Sequence, residues 1–360
     1  MSMQRLEAVR QAMKKENLPA ILVTYGENRA YLCGFTGSSG TVLITPEQAY
    51  LVVGFIYQEQ ASMQAPGWNI ISQRESPAAT VGDLLGSLGI KEVGFEANHC
   101  THAQLEGFQK AFSEANLEIT LTPYRSIIET LRQVKDADEI ALIAKAAEIA
   151  DHAYLHILGV IRAGISEKDV AIELEYTLKK MGADTFAFDT IVVSGKRSSM
   201  PHGKPTTKII QVGDFVTMDY GARYGGYCSD ITRTVVVGKP SDEQRRVYQT
   251  VLTAHLRSYN AAAPGISGVE LDAVARNTIN DAGYGKYFGH SLGHGIGRVV
   301  HEGPSASQRS EAEFVAGNVV TIEPGIYIPN WGGVRIEDTV LITEEGRRSL
   351  NHTTKELIVL

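Results

Sequence analysis

Hydrophobic and polar positions in the first part of the chain alternate between helical and strand periods. Leu6, Val9 and Met13 recur at helical spacing in a charged opening segment, which predicts an amphipathic helix. Short runs rich in β-branched residues predict strands at 20–25, 41–45, 49–53 and 92–95, and helical patterns stand at 80–88 and 103–114. This alternation is typical of an α/β layer domain.

A change of pattern near residue 125 predicts the start of a second domain. The segment 126–161 is rich in Ala, Glu and Lys, and its pattern predicts one long helix. We therefore expect two domains, 1–125 and 126–360, each long enough to bury a core. The first of them shows no cluster of catalytic residue types.

The second domain contains an internal repeat, which predicts two related αβ halves. The halves span roughly 138–237 and 242–342. In each half a Gly-Ile-Ser string opens a predicted helix, and the serine precedes an acid at the spacing of a helix capping box. These pairs are Ser166 with Asp169 and Ser267 with Glu270.

The repeat also pairs four acids in strand-like segments. The string GDFVTMDYG matches GNVVTIEPG, so that Asp219 corresponds to Glu323. Further along, Asp230 opens one apolar strand and Glu337 opens its counterpart. A pseudo-twofold axis between the two halves would bring these four carboxylates together.

Four acids in apolar strands predict a metal centre. An unpaired buried carboxylate costs several kcal/mol, so a cluster without counter-charges must bind protons or cations. Bridging carboxylates commonly hold two divalent ions about 3.5 Å apart. His294 in GHSLGHGIG offers one imidazole, and such a set suits Mn, Co, Fe or Zn. We predict two divalent ions per chain, with manganese as the expected metal.

Composition and charge exclude several classes of protein. The chain has 360 residues, a net charge of −7 and a pI near 5.8, so it lacks the basic footprint of a nucleic-acid or membrane-surface protein. Three cysteines without CxxC spacing argue against a disulfide framework and a thiolate zinc site. The N-terminus lacks the apolar core of a signal peptide, and no apolar run is long enough to span a bilayer. We expect a cytoplasmic protein.

Strings in both parts of the chain resemble the pita-bread metallopeptidases, in particular the Xaa-Pro dipeptidase (prolidase) and aminopeptidase P branch. The strings in the second domain are SSMPHG, MDYGARYGGYCSDITRT, FGHSLGHGIG, VVHEGP, TIEPGIY and GGVRIED. In the first domain, YLCGFTGSSG resembles the family's creatinase-type domain. The resemblance implies an N-terminal creatinase-type α/β domain followed by a pita-bread catalytic domain of α+β class. It also implies homodimers or tetramers, of which we expect the homodimer, with the N-terminal domain of one chain edging its partner's active site.

The resemblance further implies roles for individual residues. Five side chains would hold the two metal ions: Asp219, Asp230, His294, Glu323 and Glu337. Asp219 and Asp230 would hold one ion, the last four side chains would hold the other, and Asp230 and Glu337 would bridge the two. Four side chains match the family's substrate-binding positions: His202, His290, His301 and Arg335.

The expected reaction is hydrolysis of the bond before proline in short peptides. Hydroxide generated between the two cations would attack the carbonyl carbon before proline. Glu323 would shuttle the proton, His301 would donate to the developing oxyanion, and His290 would contact the leaving nitrogen side. Because proline leaves no N–H on that bond, an apolar-walled pocket that requires no donor there can select it.

Other activities are compatible with these strings. The expected Xaa-Pro dipeptidase stands beside an Xaa-Pro aminopeptidase that acts on longer peptides. A methionine aminopeptidase and a non-peptidase protein of the same fold are less favoured. A dipeptidase requires a cation that binds the free C-terminal carboxylate, and Arg298, Arg309 and Arg335 are the candidates.

The chain departs from the family pattern at four positions. Gly54 and Ile56 stand where many relatives carry Asp and Arg, which puts an ion pair or subunit contact of the N-terminal domain in doubt. Arg298 replaces an apolar residue and could face solvent, a structural acid or the substrate. Asn318 stands where Met is usual.

Overall fold

The structure, a computed structural model, describes residues 2–360 and divides after Arg132 into two compact units. The strands of the first unit are β1 (Ile21–Val23), β2 (Thr41–Ile44), β3 (Ala49–Val53), β4 (Asn69–Ser72), β5 (Glu92–Glu96) and β6 (Thr120–Tyr124). They form one sheet in the order β4-β3-β2-β1-β5-β6. Strand β2 is antiparallel to both its neighbours, and the other described pairs are parallel.

Helices cover this sheet on both faces. They are α1 (Ser2–Lys15), α2 (Gly26–Cys33), α3 (Gln58–Gln64), α4 (Pro77–Ser87), α5 (His102–Glu114) and α6 (Ile127–Gln133), with a short 3₁₀ turn at Phe55–Tyr57. Ile21 and Val23 pack into one apolar cluster and Leu22 into another, because successive strand residues point to opposite faces of the sheet. Each strand and helix predicted here from the pattern corresponds to an observed element.

The pattern missed the short helices α2 and α3 and the strands β4 and β6. Helix α2 buries polar Asn28 and Arg29, which removes the amphipathic signal, and β6 contains Pro123, which lowers its strand propensity. The pattern also placed the limit between the domains before α6, at 125/126, and that limit stays a prediction.

The second unit contains four helices among its described residues: α7 (Ala137–Ile157), α8 (Glu167–Lys180), α9 (Asp242–Ala261) and α10 (Gly268–Asp281). Its strands are β7 (Thr185–Phe186), β8 (Ile191–Ser194), β9 (Phe215–Tyr220), β10 (Ala222–Tyr224), β11 (Tyr227–Cys228), β12 (Ile231–Val236), β13 (Gly293–Gly295), β14 (Glu302–Ala306), β15 (Val319–Ile322), β16 (Gly325–Ile328), β17 (Gly332–Arg335), β18 (Asp338–Thr343) and β19 (Gly346–Ser349). Short 3₁₀ turns lie at Gly195–Ser199 and Gly285–Tyr287.

The single long helix predicted over 126–161 is wrong, because two helices occupy this segment. Asp136 interrupts it by capping α7: its side chain accepts from the N–H groups of Asp138 and Glu139, and Glu139 bonds back to the Asp136 N–H. This capping box satisfies the first free N–H groups of a new helix. Helix α6 therefore ends at Gln133 and α7 begins at Ala137, although the composition stays helical throughout.

The predicted internal repeat is visible in the element order of the second unit. Ser166 and Ser267 cap α8 and α10, and both capping boxes are complete. In the first half β9 pairs antiparallel with β12, and the β10–β11 hairpin joins them. In the second half β15 pairs antiparallel with β18, and the β16–β17 hairpin joins them. One apolar core lies beneath each half.

The strand ends of this repeat position the acids. Asp219 lies within β9 and Asp230 directly precedes β12. Glu323 directly follows β15, and Glu337 lies between β17 and β18. Across the described residues 2–360, no helix is both long and apolar enough to cross a membrane.

Candidate metal centre

Three side chains from different segments of the second unit form the centre of a potential cation site. Asp230, His294 and Glu337 each present a ligand atom, and these atoms lie within 4.8 Å of one another. His294 is carried by β13, which reaches this position by close approach to β15. A Cβ atom at Gly293 would lie 1.8 Å from the Thr321 carbonyl oxygen, so only glycine fits beside the histidine.

Glu323 and Asp219 extend the cluster. His294 Nε2 lies 3.4 Å from Glu323 Oε1 and 3.6 Å from Asp230 Oδ2. Asp219 accepts a hydrogen bond on Oδ2 from Arg335 Nη2. The structure thus brings all five predicted ligands together, two from the first half of the repeat and three, including the histidine, from the second.

The donor atoms fit divalent cations. In the described part of the chain, Asp219 Oδ1, Asp230 Oδ1 and Glu337 Oε1 are buried without a hydrogen-bond partner. Each such acceptor is costly unless a cation meets it. His294 Nδ1 faces the Gly295 carbonyl oxygen at 3.1 Å. Its proton must therefore be on Nδ1, which leaves the Nε2 lone pair pointing at the carboxylates.

In the metal-free cluster, burial and neighbouring charges displace the pKa values of the acids and of the histidine. Burial, followed by the charge of Glu337, raises the pKa of Asp230 well above its ordinary range. Burial and then the charge of Glu323 raise the pKa of Glu337 in the same way. Burial also raises the pKa of Glu323, to about 7, and lowers the pKa of His294. Bound divalent cations would reverse the shifts of the three carboxyl groups and reinforce that of His294, because they favour carboxylate and neutral imidazole.

Threonine hydroxyls hold the ligands across the repeat. Thr232 Oγ1 donates to Glu337 Oε2 at 2.6 Å, and Thr339 Oγ1 donates to the Asp230 carbonyl at 2.9 Å. Thr232, two residues after Asp230, therefore bonds to Glu337 of the other half, and Thr339, two residues after Glu337, bonds to Asp230. Partners of this kind orient metal ligands. The repeated spacing in Asp-Ile-Thr and Glu-Asp-Thr could have indicated these threonines, but they were not among the predicted site residues.

A cavity of about 580 Å³ opens over the cluster. Its lining includes the five predicted ligands and the four predicted substrate-binding residues, His202, His290, His301 and Arg335. Phe188, Ile191 and Val300 supply apolar wall. The cavity thus has the mixture of apolar surface and convergent polar groups that is typical of a small-ligand site.

His290 joins a chain of hydrogen bonds at the cavity wall. Its Nδ1 faces the Ser291 carbonyl at 2.8 Å and its Nε2 faces the Tyr327 hydroxyl at 3.0 Å. Arg335 Nη1 donates to that same hydroxyl at 2.7 Å. Burial, followed by the charge of Arg335, lowers the pKa of His290 to about 4. The neutral ring therefore accepts from Tyr327, and both of its nitrogens are engaged within the protein.

Tyr327 was missed by the sequence reasoning, although it ends the string TIEPGIY. It connects His290 to Arg335, and Arg335 in turn contacts Asp219. His301 lies beside His294 with ring centroids 4.2 Å apart. Burial lowers the pKa of His301, which keeps its imidazole neutral near pH 7.

The three candidate arginines have different surroundings. Arg298 does not line the cavity; its guanidinium lies over the Tyr227 ring, 5.2 Å from the centroid, and the residue is 8% exposed. Arg335 lines the cavity, but it is engaged by Asp219 and Tyr327. Arg309 is exposed and lines a neighbouring cavity of about 490 Å³ that shares His290 with the first.

The structure shows the surroundings of the other residues that depart from the family pattern. Asn318 is buried, and its side chain donates to the Gln133 carbonyl at 2.9 Å and accepts from the Val315 N–H at 2.8 Å. Ile56 is 80% exposed. Gly54 precedes the 3₁₀ turn that contains Ile56, and nothing in the structure explains the choice of glycine there.

The chain is similar to metallopeptidases along its length. Residues 141–344 match the model described as Metallopeptidase family M24, and residues 5–134 match the model described as Creatinase/Prolidase N-terminal domain. The chain is 41% identical over 356 residues to the Xaa-Pro dipeptidase of Pyrococcus horikoshii, an alignment that covers 99% of each chain.

Solved structures give the same result. The fold matches an Xaa-Pro dipeptidase from Bacillus anthracis with a TM-score of 0.97 and 44% identity, covering 100% of both chains. It matches an X-Pro aminopeptidase from Thermotoga maritima with a TM-score of 0.90 and 37% identity, covering 96% of this chain and 98% of that one. These matches confirm the expected combination of a creatinase-type α/β domain and a pita-bread catalytic domain.

Proposed function

Because the chain belongs to metallopeptidase family M24 and carries a creatinase/prolidase N-terminal domain, we propose that it is an Xaa-Pro dipeptidase. The observation that carries the proposal is the cluster of four carboxylates and one imidazole at the floor of a cavity with apolar walls. Relatives that cover nearly the whole chain are named as Xaa-Pro dipeptidases.

Asp219, Asp230, His294, Glu323 and Glu337 would hold two divalent ions, for which manganese is our expectation. The bound ions supply a Lewis acid and lower the pKa of water at the site. The protein's part is to keep the ligands in place. His294 is oriented through Gly295, and Thr232 fixes one oxygen of Glu337, which leaves its other oxygen free to meet a cation.

Glu323 would transfer the proton from the attacking water to the leaving nitrogen. Thr321 Oγ1 donates to Glu323 Oε1 at 3.1 Å, so that one oxygen is held while the other can accept a proton from water and return it to the leaving nitrogen. His301 would donate from its neutral imidazole to the substrate oxygen that becomes negatively charged. Burial lowers the pKa of His301, and its neutral imidazole still carries one ring N–H that can donate.

His290 would shape the leaving-group side through its ring rather than by donating a hydrogen bond. Both of its nitrogens are already engaged by Ser291 and Tyr327. A ring edge without a free acceptor suits the imide nitrogen of proline, which has no N–H to offer. A peptide with a secondary amide would bury an N–H without a partner there, at a cost of about 1–3 kcal/mol.

A peptide panel tests the proposal. With manganese added, kcat/KM for Leu-Pro should exceed that for Leu-Ala by about 10²-fold or more. Leu-Pro should also exceed Leu-Pro-Ala and the amide Leu-Pro-NH₂, because a dipeptidase must bind the free carboxylate. Equal rates on Leu-Pro and Leu-Ala would contradict proline selectivity, and preference for Met-Ala would indicate a methionine aminopeptidase.

The second candidate is an Xaa-Pro aminopeptidase. The match to the Thermotoga maritima X-Pro aminopeptidase favours it, and so does the engagement of Arg335, which leaves that guanidinium unsuited to a substrate carboxylate. Faster cleavage of Leu-Pro-Ala than of Leu-Pro would select this alternative and leave the metal chemistry unchanged.

A homodimer and a cytoplasmic location complete the proposal. The family resemblance supports the dimer, and the three cysteine thiols, Cys33, Cys100 and Cys228, are typical of a reducing compartment. Sedimentation equilibrium should give twice the monomer mass of 39.1 kDa. A monomer with full activity would contradict a dimer that is needed for the site.

A further inference from the structure

Helix α10 carries an acid–arginine pair behind the wall of the cavity. Arg276 Nε and Nη2 donate to the two carboxylate oxygens of Asp272 at 2.7 and 2.9 Å. The Asp272 side chain is 1% exposed and that of Arg276 is 19% exposed. Two parallel hydrogen bonds between a guanidinium and a carboxylate fix the orientation of both groups.

The same pair holds three backbone groups of the segment 288–292. Arg276 donates to the carbonyl of Phe288 at 3.0 Å through Nη1 and to that of His290 at 2.9 Å through Nη2. The N–H of Leu292 donates to Asp272 Oδ1 at 3.0 Å. One helical pair therefore anchors the segment at residues 288, 290 and 292, immediately before the strand that carries His294.

Aromatic contacts extend this anchor to the His290 ring. The Arg276 guanidinium lies over the Phe288 ring, 4.4 Å from its centroid. Phe288 in turn meets His290 edge to face, with centroids 5.1 Å apart. The backbone and the ring of His290 thus both depend on a residue that does not itself line the cavity over the carboxylates.

We propose that Arg276, held by Asp272, is a positioning residue that sets the place of His290 in the active site. Its effect on turnover rests on the proposed peptidase function, whereas its anchoring of the segment 288–292 does not. Arg276 touches neither the predicted metal ligands nor the cavity over them, so it acts through the segment.

Arg276→Lys is the sharpest substitution. A lysine keeps the charge and can still pair with Asp272, but a single ammonium cannot also reach the carbonyls of Phe288 and His290 in the planar arrangement of a guanidinium. We expect kcat/KM for Leu-Pro to fall by about tenfold or more, mainly in kcat. Manganese content should equal that of the wild type, because the ligands are untouched.

A double-mutant cycle with His290→Ala separates positioning from general destabilisation. If Arg276 acts through His290, the effect of Arg276→Lys should shrink to less than about twofold in the His290→Ala background. Arg257→Lys is the matched control: Arg257 on α9 contacts Thr278 on α10 at 3.4 Å, so it perturbs the same helix without reaching 288–292. Its activity should stay within about twofold of the wild type.

Hydrogen exchange provides a readout that does not depend on activity. Amide exchange in a peptide covering 288–292 should be faster in Arg276→Lys by about tenfold or more, and unchanged in Arg257→Lys. Unchanged exchange would overturn the anchoring, and equal activity losses in both backgrounds would overturn its action through His290. A wild-type protein that cleaves no Xaa-Pro peptide would contradict the proposed function, and the exchange result would still decide the anchoring.

Discussion

At the scale of single residues, three buried carboxylate oxygens are the main indication of a metal centre. Asp219, Asp230 and Glu337 each keep one buried carboxylate oxygen without a hydrogen-bond partner in the part of the chain that the structure describes. A protein without bound cations would have to protonate Asp230 and Glu337, which is the direction in which their pKa values are displaced. Two divalent ions satisfy the same atoms without protons.

Asp230→Asn should lower the occupancy of both metal sites, because Asp230 is proposed to bridge the two ions. An amide offers one weaker oxygen ligand in place of two charged ones. Elemental analysis of manganese-reconstituted protein should approach two ions per chain in the wild type and fall clearly below one in the variant. Glu313→Gln, on an exposed acid outside the cavity, is the control. Two ions retained in Asp230→Asn would contradict the bridging role.

Asn318→Met restores the residue that is usual in the family and should nevertheless destabilise this protein. The asparagine satisfies the Gln133 carbonyl and the Val315 N–H, and methionine would leave both without that partner. We expect the free energy of unfolding to fall by about 1–3 kcal/mol. Urea denaturation measures it, and a stability equal to or above that of the wild type would show that these two hydrogen bonds contribute little.

At the scale of elements, the two halves of the repeat anchor their active-site segments in related ways. Glu167, the first residue of α8, is fully buried and accepts from the N–H and hydroxyl of Ser194, from Arg197 and from Thr206. The segment between Ser194 and Thr206 carries His202 into the cavity. In the other half, the pair on α10 anchors the segment that carries His290. A helix thus supports a cavity-lining histidine in each half.

Glu167→Gln should destabilise the protein by about 2–4 kcal/mol, because it removes the charge that pairs with Arg197 and leaves a partly buried guanidinium unpaired. Glu175→Gln, on a half-buried position of the same helix, should change stability by less than about 0.5 kcal/mol. Thermal unfolding with saturating manganese measures both. A drop in melting temperature of the same size in both variants would contradict a specific anchor at Glu167.

At the scale of the whole molecule, the cluster links stability to pH and to metal. In the metal-free protein, burial raises the pKa of Glu323 from 4.5 to about 7. A raised carboxyl pKa in the folded state contributes stability below pH 4.5 that is lost as the pH rises through 7. The metal-free protein should therefore weaken towards alkaline pH, whereas the metal-loaded protein should not, because the cations bind the ionised carboxylates.

The difference in melting temperature between manganese-loaded and EDTA-treated protein should accordingly be larger at about pH 8 than at about pH 5.5. Asp230→Asn, which removes one charge from the cluster, should make the metal-free protein less sensitive to pH over the same interval. Scanning calorimetry measures these differences. An equal metal effect at both pH values would show that the carboxylates are ionised at low pH even without metal.

The sequence by itself determined the elements with local signals and which four carboxylates come together at the cavity. Ser166 and Ser267 cap their helices because a capping box is a short-range hydrogen-bond pattern. Asp219 and Glu323 could be paired because the internal repeat encodes which positions are equivalent. The four carboxylates converge because each half places one acid (Asp219 or Glu323) near the end of a strand and the other (Asp230 or Glu337) just before the start of its antiparallel partner.

Only the tertiary structure decided the contacts between distant segments. Tyr327 joins His290 to Arg335, Thr232 bonds to Glu337, and Arg276 anchors the segment 288–292. It also placed Arg298 against Tyr227 rather than in the cavity. Spacing along the chain constrains a side chain only within its own helix turn or strand face. The partner that a side chain finds in a distant segment depends on how the two halves pack, and short-range sequence patterns do not encode that packing.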